Sequence, residues 1–82
     1  MKIHHYTAIF QKEPEGGYTV VVPALEGCVT YGETIEKAVE AAREAIESYL
    51  GSLAKDKLTP PLDVDFVSAI DVKTKPHSAS YV

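Results

Sequence analysis

Three histidines, one cysteine and twelve carboxylates are the side chains of this 82-residue chain best suited to chemistry. His4 and His5 form the only adjacent histidine pair, and neighbouring residues in a strand point to opposite faces, so the two cannot chelate one metal ion from regular strand. His77 lies in a polar stretch with no carboxylate or cysteine at ligand spacing. Surface histidines account for all three. Two-metal hydrolysis needs several carboxylates converging on one face, typically including one inside a central strand. The segment Met1 to Lys12 has none, and Glu13, Glu15, Glu26 and Glu33 fall in turns or at strand ends, where solvation explains them. Ser48 and Ser52 sit in a helical pattern, Ser68 in a strand pattern, and Ser78 and Ser80 near the C-terminus, none at a spacing from His and Asp that suggests a nucleophile. Cys28 has no activating neighbour in sequence and reads as a small buried hydrophobe. Gly16-Gly17 is too short for a phosphate loop and no helix follows it. The chain is therefore expected to have no catalytic residue, no metal site and no cofactor, and to act by binding.

Composition narrows what it binds. Twelve acidic residues against eight basic ones give a net charge of −4 with histidine neutral. Phosphate backbones are bound through clustered Lys and Arg that release counterions, which this balance opposes; a basic protein partner suits it better, although mild negative charge also serves solubility. A single cysteine excludes an internal disulfide framework and a cysteine-built zinc site, so nothing implies an oxidising compartment. No charged-then-apolar leader precedes the first strand and no apolar run approaches the roughly 18 residues that span a bilayer. A cytoplasmic protein without a membrane segment is expected.

The elements that must position a binding surface follow from periodicity. Ile3 to Lys12 alternates as a strand, with Tyr6, Ala8 and Phe10 on one side and His5, Thr7 and Ile9 on the other. Pro14-Glu15-Gly16-Gly17 is a turn, and Tyr18 to Val22, aromatic and β-branched, returns as the hairpin partner. Pro23 ends that strand, Leu25 is the one large apolar residue of the loop to Gly27, and Cys28 to Tyr31 makes a short third strand. Gly32 allows a sharp bend into a helix from Thr34 to about Leu53. Ile35, Ala38, Val39, Ala42, Ala45, Ile46, Tyr49, Leu50 and Leu53 recur on one stripe of that helix, and Glu36, Lys37, Glu40, Arg43, Glu44 and Glu47 line the opposite face. Thr34 is the N-cap, and Gly51, costing about 1 kcal/mol against Ala, threatens an early end. Pro60 and Pro61 force an extended crossing toward a fourth strand, Asp65 to Val72. The predicted class is α+β, β-β-β-α-β, a small mixed sheet with one amphipathic helix on one face. Residues 1–72 form the domain and 73–82 a polar tail in which Tyr81-Val82 could dock. One helix covers one face only, so the other face or an edge strand is expected to be covered by another copy, a dimer or tetramer, or by a partner.

These residues resemble a known family. Tyr6-Thr7-Ala8-Ile9-Phe10, then Gly16-Gly17-Tyr18-Thr19-Val20, then Pro23, Leu25, Gly27-Cys28 and Thr30, then Gly32-Glu33-Thr34 and the helix with Glu36, Ala38, Ala42, Glu44-Ala45-Ile46 and Leu50 are similar, in order and spacing, to the HicB-like antitoxin domain. The resemblance covers about the first fifty to sixty residues. It implies a degraded RNase H-like fold without catalysis, and a type II toxin-antitoxin role in which the chain binds and occludes a HicA-type toxin, a small basic protein that cleaves messenger RNA. Many members carry a C-terminal DNA-binding module. The ten residues after Val72 are too few and too unpatterned for one, so no direct DNA binding is expected.

The toxin-contact surface is expected at the acidic turns, around Glu15 and Glu26. Two alternatives stand beside this reading. One is a solitary nucleic-acid-binding protein using Tyr6, Tyr18 and Tyr31 as stacking surfaces; the other is a homo-oligomeric module without a toxin.

Overall fold

The computed structural model describes residues 2–76, so His77, Ser78, Ser80 and the docking of Tyr81-Val82 lie outside the described residues. Strands β1 (Ile9–Lys12), β2 (Tyr18–Val21) and β3 (Val29–Gly32) precede one helix, α1 (Ile35–Lys55). The strands form an antiparallel sheet in the order β1-β2-β3. The α+β class and the β-β-β-α order follow the periodicity of the sequence.

Register explains why β1 is shorter than its alternating pattern. The last pair of the β1-β2 ladder is Ile9 with Val21. Beyond it Val22 donates its N–H to Cys28 instead, at 3.0 Å, and Pro23 has no N–H to offer. Residues 2–8 form no strand and pair with none. Leu25 is buried with Val22 and Cys28, its loop closed by backbone bonds from Leu25 N–H to the Val22 carbonyl (3.0 Å) and from Cys28 N–H to the Leu25 carbonyl (2.9 Å).

The helix begins where its cap predicts. The Lys37 N–H donates to Thr34 Oγ1 at 3.1 Å, satisfying one orphan donor of the first turn. It runs through Gly51 to Lys55 and closes at Lys57, whose φ of 57° is left-handed. Leu58 N–H bonds to the Leu53 carbonyl at 2.9 Å and Lys57 N–H to the Ala54 carbonyl at 3.1 Å, a Schellman closure with lysine where glycine is usual. Arg43 pairs with Glu40 at 2.7 Å on the outer face of α1.

Gly32 is required by proximity rather than by its own backbone angle. Glycines at left-handed φ are Gly16, Gly17 and Gly27. A Cβ at Gly32 would overlap the backbone N and Cα of Ala38 in the first turns of α1, so the missing side chain is what lets the helix lie directly on β3.

The core is thin. Val20, Ala38 and Ala42 form one buried cluster with Ala8 and Tyr18 against it; Val22, Leu25 and Cys28 form another, flanked by Tyr6, Ala45, Ile46 and Tyr49. Among the described residues only Leu25, Val20 and Val22 are large side chains in complete burial, each stabilising by about 1.5–3 kcal/mol. The helical stripe is not wholly covered as its periodicity implied: Ile35 and Val39 remain exposed, because three short strands cannot span it.

The segment expected as a fourth strand, Asp65–Val72, is unpaired, so the sheet of the single chain is antiparallel rather than mixed. Its root is fixed at one point. Asp63 accepts from the Thr7 N–H at 2.9 Å and from the Thr7 hydroxyl at 2.8 Å, and the Tyr6 hydroxyl donates to the Pro61 carbonyl at 2.5 Å. From Asp65 to Pro76 the chain is exposed.

Candidate partner-binding surface

Glu15 and Glu26 are both exposed. Glu15 belongs to the turn joining β1 to β2, closed by Glu13 N–H to the Gly17 carbonyl (2.9 Å) and Gly16 N–H to the Glu13 carbonyl (3.0 Å). Glu26 belongs to the loop joining β2 to β3. In an antiparallel meander successive connections alternate ends, so the two carboxylates stand at opposite ends of β2 and do not form one patch. Glu13 and Glu33 share the end of Glu15, because Tyr18 is in register with both Lys12 and Gly32. The Glu15 turn is held rigid from the sheet: the Tyr31 hydroxyl donates to the Gly16 carbonyl at 3.0 Å, and the Tyr31 ring occupies the space a side chain at Gly17 would need.

The tyrosines offered as stacking platforms have structural duties. Tyr31 clasps the turn, Tyr18 packs on the Val20 cluster, and Tyr6 packs on the Val22 cluster while bonding Pro61. His4 lies parallel to the Tyr6 ring, centroids 6.4 Å apart. Among the described residues no three of His, Cys, Asp and Glu gather as metal ligands, and no helix is long and apolar enough to cross a membrane. Burial pushes the Cys28 thiol above its ordinary range, which keeps it protonated and a poor nucleophile.

Two surfaces present apolar side chains to solvent. On the sheet face away from α1, register lines up Ile9, Val21 and Val29 across the three strands, all exposed, with Tyr31 one row on. On the helix side, α1 lies over β3 and β2 and leaves β1 beside an open groove of about 600 Å³. Ala8, Phe10, Val39, Ala42, Ile46 and Leu50 line it. The alternation of β1 and the stripe of α1 each announced half of this groove; that no other described residue fills it is a tertiary fact.

Comparison with known proteins matches this sheet-and-helix unit to one family. A family model described as the HicB-like antitoxin of bacterial toxin-antitoxin systems matches residues 6–78. The chain is 35% identical over 71 residues to the UPF0150 protein ssr1765 of Synechocystis, covering 87% of this chain and 90% of that one. It is 45% identical over 58 residues to the UPF0150 protein Ta0767 of Thermoplasma acidophilum, covering 71% and 84%. A UPF0150 protein of Helicobacter pylori is 47% identical over 51 residues, covering 62% and 69%. With the match running from the first extended segment through the helix and beyond it, the chain belongs to the HicB-like antitoxin family.

Proposed function

We propose that this protein is the antitoxin of a type II toxin-antitoxin pair, acting without catalysis by binding and occluding a small basic HicA-type toxin in the cytoplasm. The observation that carries the reading is the family match over residues 6–78. The acidic balance of twelve carboxylates against eight basic residues suits a basic partner, chiefly by accelerating encounter and excluding wrong partners. The turn at Glu15, with Glu13 and Glu33 beside it on a braced scaffold, offers the partner a preformed acidic rim, and Glu26 extends contact only to a partner that reaches along the sheet. Residues 1–72 act as the binding domain.

Co-expression tests this. A small basic reading frame beside this gene should encode a protein that arrests growth alone, co-purifies with this chain and loses its messenger-RNA cleavage when bound. A neighbour that is harmless alone, or whose toxicity this chain leaves intact, would overturn the proposal.

A further inference from the structure

An 8.9 kDa globular monomer exposes roughly 4,800 Å², whereas this chain exposes 7041 Å². Its radius of gyration is 16.4 Å, against roughly 12 Å for a compact chain of this length. Several large apolar side chains are exposed together in one segment. Phe66, Val67, Ile70 and Val72 are 82%, 58%, 81% and 75% exposed in a stretch that belongs to no helix or strand and pairs with none. Such a row of free backbone groups and large apolar side chains is a strand awaiting a sheet. The same molecule presents the complement: the outer edge of β1 is unpaired, and beside it lies the apolar groove against α1.

We infer that residues 64–72 form an exchange arm that leaves its own domain and adds as a fourth strand along the β1 edge of a second copy, lowering apolar side chains into that copy's groove. Alternation places Phe66, Ile70 and Val72 on one side of the arm, three apolar anchors facing Phe10, Val39 and Ile46. Charge agrees with this seat. Asp65 precedes the anchors and Asp71 lies between the last two, and the groove lining carries Lys2, His4, His5 and Arg43 against one acid, Glu47. The second groove, between Cys28 and Tyr49, has no charged residue on its lining.

A second copy fits better than the arm's own domain. A strand added at the edge of its own sheet leaves the Ile9, Val21 and Val29 row uncovered, whereas a partner brings a body as well as an arm. Arm and groove are carried by every copy, so one twofold axis satisfies both at once. Two chains that each bury an excess of about 2,000 Å² fall in the range of obligate dimers, roughly 2,000–5,000 Å² in total. The Thr7, Asp63, Tyr6 and Pro61 contacts fix the arm's root and leave the rest free to cross. This association needs no toxin and stands or falls apart from the antitoxin role.

Sedimentation equilibrium of the whole chain at micromolar concentration should give twice the 8.9 kDa chain mass. The double variant Phe66→Ser/Ile70→Ser alters only exposed side chains; it should sediment as a monomer while its circular dichroism keeps the α1 signal. In a Val39→Cys/Ile70→Cys variant, oxidation should link two chains, visible as doubled mass on a denaturing gel without reductant. A monomeric wild-type chain, a dimer untouched by the two serines, or a disulfide closed within one chain would each overturn the inference, the last in favour of self-docking.

Discussion

At the scale of residues, three positions carry effects larger than their chemistry suggests. Gly32 is fixed by the approach of α1, since an added methyl meets backbone that cannot rotate aside. Gly32→Ala should therefore destabilise by about 2–3 kcal/mol through overpacking, lowering the melting temperature by roughly 10–20 °C in thermal denaturation. Asp63 is held below the usual carboxylate range, first by the Thr7 backbone N–H and further by the Thr7 hydroxyl. A lowered folded-state value means its stabilising contribution is present above the ordinary aspartate range and is lost as pH falls through the lowered value. Following the Thr7 amide resonance in an acid titration should show a transition below that of a free aspartate, and Asp63→Asn should abolish it. Cys28 is buried and its thiol titrates high, so a thiol reagent at neutral pH should label it only after unfolding.

At the scale of elements, the helix is capped well at its start and less well at its end. Thr34 accepts from the first turn, but Lys57 adopts the left-handed angle that costs an L-residue roughly 1 kcal/mol. Lys57→Gly should relieve that strain and raise stability by about 0.5–1 kcal/mol, read as a higher urea midpoint with an unchanged slope. The Glu40–Arg43 pair is exposed on both sides, and surface pairs of this kind contribute little. What holds α1 down is its seat on β3 and β2 through Ala38 and Ala42. Small side chains there bring the helix close and leave Val39 at the groove margin.

At the scale of the whole molecule, the acidic turns lie at opposite ends of the sheet, so the proposed contact can be tested at each separately. Charge reversal at Glu15 in the braced hairpin should slow association with a basic toxin and flatten its dependence on salt, changing the on-rate more than the off-rate. Reversal at Glu26 should have a smaller effect unless the toxin spans the sheet. Surface-plasmon kinetics across a salt series separates the two; equal effects at both turns would contradict a binding site centred on the hairpin end.

The β-β-β-α order, the Thr34 cap, the hairpin turn at Gly16-Gly17 and the burial of Leu25 were legible in the sequence because each rests on residues within a few positions of one another. Family membership was legible for a related reason, since it resides in the order of those local signals. The exposure of the turns carrying Glu15 and Glu26 was also readable, as turns must lie at the surface. Tertiary structure alone decided that these two turns stand apart, that Gly32 is needed by Ala38, and that Asp63 ties to Thr7, since each joins residues distant in sequence. It also decided the fate of Asp65–Val72. Alternation makes that segment able to form a strand, but a strand exists only where another edge supplies its hydrogen bonds. Within one described chain no edge does.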